Sequence, residues 1–242
     1  MNVKGLGAGT RAAQGSGMPD VPIQPQQTLA TLALTIPSAP RVFHRHRLDF
    51  CCHGRVSLDA ACRDRGLDLD RVVAELREAA VGHVGAHERW DLRPLAELVA
   101  HLLADYHAPQ RIEVARLAEL AGKVERVHAD HPDCPHGLAD HLVHVGRSLE
   151  LHMRKEEQVL FPLILAGRSR AAFGPVQVME HEHQEHADEL RATRLLAHDF
   201  EPPTGACTSW RALYLGLEQF ERELMEHISL ENNTLFARAL QK

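Results

Sequence analysis

The chain has 242 residues, a formal net charge of −6 and 44% hydrophobic residues, so it is long enough to bury a substantial core. The negative charge argues against nucleic-acid binding, which usually depends on a basic face. No apolar stretch approaches the roughly 20 residues that span a bilayer, and no apolar signal-peptide core follows Lys4 and Arg11. We therefore expect a cytoplasmic protein whose partners include neither a nucleic acid nor a membrane.

The N-terminal part of the sequence divides into two segments. Residues 1–27 are rich in Gly, Gln, Pro and Ala without a periodic apolar face, which predicts a disordered extension. Residues 28–90 carry a series of short helical patterns, in which Ser57 and Asp68 are placed to cap helices and Gly66 to end one. This segment is predicted to be a small all-helical module that ends in a linker over 82–90.

Four long helices are predicted after Pro94, and Pro109 is expected to bend the first of them. Their approximate spans are 94–128, 136–167, 174–198 and 209–240. No run alternates with the period of two that is typical of strands. The predicted fold class is therefore all-α, with an up-down four-helix bundle over residues 91–242 behind the small helical module.

Two of the four helices carry a histidine and a glutamate in an otherwise apolar stripe. In the second helix, alternating steps of four and three connect Leu138, Leu142, Val145, Leu149, His152, Glu156, Val159 and Leu163. In the fourth, the same steps connect Leu213, Leu217, Phe220, Leu224, His227, Glu231 and Thr234. A buried ionised carboxylate is costly unless a positive charge compensates it. Because each His–Glu pair is one helical turn apart and the pattern occurs twice, it predicts a metal site in the core.

The other two helices must then supply inward-facing ligands at a similar depth. The first offers His107, one turn beyond Leu103, and the third offers His183 or His186, between which helix phase does not choose. Imidazoles with two carboxylates suit iron, manganese or zinc. Carboxylates on facing helices can each bridge two ions, which indicates a dinuclear centre with a shared oxo or hydroxo group and open positions for dioxygen or nitric oxide.

The cysteines are an odd number, five, and two of them are adjacent, which favours reduced thiols over a disulfide framework. Basic residues near the Cys51–Cys52 pair are expected to lower the thiol pKa and make the pair nucleophilic or metal-binding. Those basic residues are His44, His46, Arg47 and Arg55. The alternative is that the pair consists of two small buried residues.

Four sequence stretches carry a family resemblance. They are LDFCC at 48–52, KVERVHAD at 123–130, HMRKEEQVLFP at 152–162 and HISLENN at 227–233. With these, the chain from Thr28 to Leu240 resembles the bacterial RIC proteins (repair of iron centres, also called the YtfE/ScdA family), which are hemerythrin-like di-iron proteins. The vicinal cysteines distinguish this family from a generic hemerythrin-like bundle. Residues 28–90 then correspond to the family's ScdA N-terminal-like module.

The resemblance implies two iron ions in an oxo- or hydroxo-bridged centre, with bridging carboxylates and histidine ligands. The implied ligands are His107, His152, Glu156, His183, His227 and Glu231. It thereby favours His183 over His186, although a ligand role for His186 or for the nearby Glu182 stays open. Relatives often have Cys-Cys-Gly-Gly where this chain has His53 in the third position.

The function that the resemblance implies is the repair of iron–sulfur clusters damaged by nitrosative or oxidative stress, by donation of iron. The expected partners are damaged iron–sulfur proteins, nitric oxide or dioxygen as a small ligand, and a second copy of the chain in a homodimer. Cys51 and Cys52 are expected to act in redox chemistry or iron transfer. The alternatives are an enzyme that reduces nitric oxide to nitrous oxide, hemerythrin-like oxygen binding or sensing, and a purely structural bundle.

Overall fold

A computed structural model describes residues 22–36, 38–81 and 88–241. Every regular element in this part of the chain is helical, so the predicted all-α class is confirmed. Among the described residues, no helix is both long enough and apolar enough to cross a membrane. The described residues do not include most of the predicted extension, nor Pro37, nor residues 82–87 of the predicted linker.

The described residues of the N-terminal part form four helices: α1 (Leu29–Thr35), α2 (Ala39–Arg45), α3 (Leu58–Asp64) and α4 (Leu69–Val81). The predicted cap at Asp68 is present, because its carboxylate accepts from the backbone N–H groups of Asp70 and Arg71. Gly66 follows α3 with a φ of 64°, the left-handed conformation expected at a helix end. Ser57 precedes α3, but its hydroxyl donates to Asp59 and does not cap the backbone.

The C-terminal part consists of four long helical rods. Rod 1 consists of α5 (Leu95–His101), a π turn (Leu102–His107) and α6 (Ala108–Val127), and rod 2 of α7 (Leu138–Lys155), a π turn (Glu156–Leu160) and α8 (Phe161–Leu165). Rod 3 is the single helix α9 (Ser169–Leu196). Rod 4 consists of α10 (Thr208–Leu230), a π turn (Glu231–Phe236) and α11 (Ala237–Leu240). A short 3₁₀ turn (His198–Phe200) follows rod 3. Rod 1 packs against rods 2 and 4, and rod 3 packs against the same two from the opposite side. Rod 3 starts earlier than predicted, with Pro175 inside the helix.

The π turns shift the phase of the apolar stripe, and this corrects two predicted core positions in rod 2. Beyond Glu156 the sequence pattern placed Val159 and Leu163 in the core, but Val159 is 49% exposed and the buried residues are Leu160 and Ile164. A π turn contains one residue more than an α turn, so all following side chains rotate by one position. In rod 1, the buried leucine is Leu102, whereas the sequence pattern had placed Leu103 in the core. The bend that was expected at Pro109 corresponds to the π turn that precedes this proline.

The bundle interior contains two apolar clusters with a polar layer between them. One cluster includes Leu149 and Leu224, and the other includes Leu160 and Leu235. The His–Glu pairs of rods 2 and 4 follow Leu149 and Leu224 directly along the stripe. A separate apolar cluster fills the N-terminal module.

Side-chain amides of rod 4 hold the loop that contains Cys51 and Cys52, here called the cysteine loop, against the bundle. The Asn233 amide donates to the carbonyl of Phe50 at 3.0 Å, and the Asn232 amide donates to that of Cys51 at 3.1 Å. Gly54 lies directly beneath this contact, and a Cβ atom added there would come within 2.7 Å of the Asn233 Oδ1 and of the Phe50 carbonyl. Only glycine fits at this position without displacing backbone.

We therefore expect Gly54→Ala to lower the free energy of unfolding by about 1–3 kcal/mol, the usual cost of overpacking a tight site. Urea unfolding followed by circular dichroism measures the change. Gly174→Ala is the matched control, because a Cβ there meets open space on α9 and is neutral or stabilising by up to about 1 kcal/mol. Equal stability of Gly54→Ala and the wild-type protein would contradict the assigned contact.

Candidate metal centre

The structure brings all six predicted ligand side chains together in the polar layer of the bundle. Rod 1 supplies His107, rod 3 supplies His183, and the other two rods supply one His–Glu pair each. All six residues are between 0% and 2% exposed. Each π turn contains at least one of them, which agrees with the frequent use of π turns at functional sites.

The donor atoms form two groups that share both carboxylates. One group is His107, Glu156, His227 and Glu231, and the other is His152, Glu156, His183 and Glu231. Within each group the potential ligand atoms lie within 4.8 Å of one another. The Glu231 carboxylate oxygens, for example, lie 3.1 Å from the Nε2 of His227 and 3.2 Å from that of His183. Both carboxylates are therefore placed to bridge two cations.

In each of the four predicted histidine ligands, the Nδ1 atom hydrogen-bonds to an oxygen from a different rod. The Nδ1–oxygen pairs are His107 with Glu157 (2.9 Å), His152 with Glu182 (3.0 Å), His183 with Asn232 (2.8 Å) and His227 with Gln110 (2.9 Å). These four hydrogen bonds form a closed ring. The histidine of each of rods 1 to 3 is hydrogen-bonded to the next rod along the chain, and the histidine of rod 4 is hydrogen-bonded to rod 1. An oxygen acceptor fixes the proton on Nδ1, so the Nε2 lone pair of each ring faces inward.

The inward-facing atoms fit a cation better than they fit one another. The Nε2 atoms of His152 and His183 are only 3.0 Å apart, and with the protons on Nδ1 neither can donate to the other. Both oxygens of Glu156 and of Glu231, and the Nε2 atoms of His107 and His227, have no hydrogen-bond partner among the described residues. Buried polar atoms without partners are rare and costly. Imidazole nitrogens and carboxylates are also the donor set that suits iron.

The electrostatics of the layer reflect two carboxylates that are buried side by side. Burial and the negative charge of Glu231 raise the pKa of Glu156 well above its usual range. Burial opposes ionisation of Glu231 as well, but the rings of His227, His107 and His183, when protonated, hold its pKa well below the usual value. Burial lowers the pKa of His152 to about 3, so this ring is a neutral donor. A cation between these groups stabilises both carboxylates as anions.

Two further carboxylates outside the layer are balanced by basic side chains. Glu157 pairs with Arg111 at 2.9 Å, and Glu182 pairs with Lys155. The hydrogen bond from His152 lowers the pKa of Glu182 to about 2. These carboxylates are ionised acceptors that orient the rings of His107 and His152.

Sequence reasoning missed three of the four residues that orient the ligands. Only Glu182 was placed near the site, whereas Glu157, Gln110 and Asn232 were not identified. Asn232 was inside the matching stretch HISLENN, which was a usable signal, but nothing in the sequence pointed to Gln110. Prediction would have required knowing which rods are neighbours.

His186 is buried beside the centre without belonging to either donor group. Its ring packs edge-on against His152 at a centroid distance of 4.9 Å, its Nδ1 pairs with Glu189 at 2.8 Å, and its Nε2 has no partner among the described residues. His181 is exposed on the same helix, with 76% of its side chain accessible. The geometry therefore brings His183, and not His186 or His181, to the shared carboxylates.

The vicinal cysteines lie next to the centre, but their environment differs from the predicted one. Cys51 is buried and Cys52 half-buried, and the Cys52 Sγ lies 3.6 Å from the backbone carbonyl of His183. The expected lowering of the thiol pKa is wrong for Cys51. Its pKa is raised well above the usual value by the hydrogen bond to Cys52, by burial and by the negative charge of Asp49. The immediate neighbours are thus a thiol and a carboxylate, not the basic residues.

Comparison with known proteins agrees with this geometry. Residues 98–239 match the hemerythrin HHE cation binding domain, and residues 25–80 match ScdA_N, described as a domain of unknown function (DUF542). The iron-sulfur cluster repair protein YtfE of Dickeya chrysanthemi is 43% identical over 215 residues, which cover 89% of this chain and 97% of that protein. That of Cronobacter sakazakii is 47% identical over 214 residues, or 88% and 96% of the two chains. The chain belongs to the YtfE family of iron–sulfur cluster repair proteins.

Membership in the YtfE family confirms the resemblance found in the sequence and gives the polar layer its general chemistry. A cation-binding domain spans all four rods, and the two His/Glu groups lie inside it. The cysteine loop belongs to the ScdA_N segment, whose residues contact the cation-binding domain through Asn232 and Asn233. In this YtfE-family chain, the two matched segments therefore meet at the metal centre.

We expect Glu182→Ala to weaken iron binding by about 10–100-fold, because the His152 ring loses the acceptor that fixes its tautomer and orientation. Iron affinity is measured by competition with a chromogenic chelator under anaerobic conditions. Glu185→Ala is the matched control on the same helix, since this side chain is 60% exposed and contacts only His181 among the interactions described. Equal affinity of the two variants would contradict a ligand-orienting role for Glu182.

Proposed function

We propose that the protein repairs damaged iron–sulfur clusters by means of a dinuclear iron centre in the bundle. The single observation that carries the proposal is the convergence of four imidazole lone pairs and two unpartnered carboxylates in a dry layer. The proposed ligands are those implied by the resemblance: His107, His152, His183, His227, Glu156 and Glu231. Bound iron supplies redox chemistry and open positions for a small ligand such as nitric oxide or dioxygen.

The charge balance of the site supports iron donation. Two ferrous ions would carry four positive charges, of which Glu156, Glu231 and a hydroxo bridge would neutralise three, and the imidazoles add none. Glu157 and Glu182 are already compensated by Arg111 and Lys155. An uncompensated positive charge in a low-dielectric interior favours release of one ion. That ion is the cargo in this proposal, and a damaged iron–sulfur protein receives it.

The remaining parts of the proposal follow the family assignment. Residues 28–90 act as the vicinal-cysteine module and 91–242 as the bundle, which agrees with their separate apolar clusters. Cys51 and Cys52 act in redox chemistry or iron transfer, and their position beside His183 supports this. The proposed location is the cytoplasm, where cysteines stay reduced. A second copy of the chain is the proposed oligomeric partner.

We expect the anaerobically reconstituted protein to hold two irons per chain and to restore activity to a nitric-oxide-damaged iron–sulfur enzyme. Glu156→Ala and Glu231→Ala each remove a bridging carboxylate, so iron content falls below two and repair falls to background. Glu218→Ala is the matched control, because this glutamate is on the exposed face of α10. Iron analysis and recovery of enzyme activity are the readouts. Full repair by both folded ligand variants would overturn the proposal.

Reduction of nitric oxide is a second candidate function, favoured by the two His/Glu groups that share Glu156 and Glu231, because two metal ions bound there would lie side by side. Two nitric oxide molecules, two electrons and two protons give nitrous oxide and water, and two ferrous ions held by these groups would supply one electron each. We expect anaerobic mixing of the ferrous protein with nitric oxide to yield nitrous oxide by gas analysis if this function operates. Absence of nitrous oxide would eliminate it and leave repair by iron donation intact.

A further inference from the structure

A second set of metal-ligand side chains lies outside the bundle, within the loop between α2 and α3. The five residues from Asp49 to His53 contain a carboxylate, two thiols and an imidazole. Asp49, Cys51 and Cys52 bring potential ligand atoms within 4.8 Å of one another. His53 lies beside this group and is hydrogen-bonded to it, because its Nδ1 lies 2.7 Å from an Asp49 carboxylate oxygen. An imidazole, two thiolates and a carboxylate are a four-donor set for a borderline-soft divalent cation.

The distances between these atoms match those required by tetrahedral coordination. The two Sγ atoms are 3.7 Å apart, and the Cys51 Sγ is 3.3 Å from the Asp49 Oδ1. Two thiolates bound to one tetrahedral ion at about 2.3 Å are separated by about 3.8 Å, and a thiolate and a carboxylate oxygen by about 3.6 Å. Asp49, Cys51 and Cys52 therefore need to move only by tenths of an ångström to hold an ion. The His53 ring has further to move, because its Nδ1 is 2.7 Å from the Asp49 oxygen and a nitrogen and an oxygen on one tetrahedral ion are about 3.4 Å apart.

The loop is already held in this arrangement by hydrogen bonds that a bound ion leaves intact. The Asp49 Oδ1 accepts from the backbone N–H of Cys52 at 2.9 Å. The Cys51 carbonyl accepts from Asn232, whose side-chain oxygen in turn binds the Nδ1 of His183. Donor groups that are fixed before binding lower the entropic cost of coordination.

The cluster also connects solvent with the interior. Asp49 and Cys51 line a cavity of about 340 Å³ between the module and rods 3 and 4. On the other side of the pair, the Cys52 Sγ lies 3.6 Å from the backbone carbonyl of His183. A cation at this cluster would therefore lie between the cavity and one of the histidines of the bundle centre.

We propose that Asp49, Cys51, Cys52 and His53 form a second cation site that takes one divalent ion of borderline softness. In the repair function proposed above, on which this role rests, the ion is ferrous iron passing between the bundle and a client protein. Binding converts both cysteines to thiolates, and the protons that they carry pass to solvent.

The test uses cobalt(II) as a spectroscopic probe on the full-length protein after its bundle centre has been loaded with iron. We expect one additional Co²⁺ per chain, with a sulfur-to-cobalt charge-transfer absorption. Cys51→Ser and Cys52→Ser should each weaken that absorption strongly. Asp49→Asn should lower the cobalt affinity by at least about tenfold, and His53→Gly should lower it as well.

Matched controls separate ligand loss from misfolding. Cys207→Ser removes a half-buried thiol from another part of the chain and should leave cobalt binding unchanged. Asp49→Asn keeps the side-chain oxygen that accepts from Cys52, so the loop should stay folded, and unchanged iron content checks this. No thiolate absorption in the wild-type protein, or wild-type affinity in both Asp49→Asn and Cys51→Ser, would overturn the second site.

Glu231→Ala distinguishes failure of the second site from failure of the proposed function. This variant lacks a bundle ligand but retains the whole loop, so we expect it to lose iron and still bind Co²⁺ with the thiolate absorption. Cobalt binding without repair activity in the wild-type protein would preserve the site and reject its role in iron transfer. Repair with no cobalt binding would preserve the function and reject the site.

Discussion

The fixed orientation of four histidine rings is the constraint on which the structure depends. Each ring turns its Nε2 inward because an oxygen from another rod accepts its Nδ1–H, and the four interactions run in a closed ring from rod 1 to rod 4. No rod carries both a histidine ligand and the acceptor that orients it. The centre is therefore complete only when all four rods are packed, which couples metal binding to the folding of the whole bundle.

The same arrangement places function in conflict with the stability of the metal-free protein. Two fully buried carboxylates face each other with no hydrogen-bond partners among the described residues, and the pKa of Glu156 is raised as a result. An apolar layer of equal volume would pack at lower cost. Cations reverse this balance, since a ligand that binds only the folded state adds to its stability. The two apolar clusters on either side exclude water and make the interaction with a cation strong.

Much of this centre could be predicted from the sequence, because its ligands interrupt regular apolar stripes. His152, Glu156, His227 and Glu231 were found from helical phase alone, and His107 from the need for a ligand on rod 1. The choice of His183 over His186 required the family resemblance, since both residues are buried on the same face of α9. The acceptor Gln110 could not be predicted from local patterns, because it acts on a histidine of another rod.

The π turns were also invisible to the sequence pattern, and they limit how the chain can vary in length. Each residue of an α-helix turns the chain by about 100°, so the extra residue in a π turn is needed to align the ligand layer with the apolar cluster that follows it. Loss of one residue between Glu156 and Leu160 would rotate Ile164 towards solvent while leaving His152 in place. Deletions are therefore expected to be excluded from these short segments, whereas the loop at 201–207 can accept insertions.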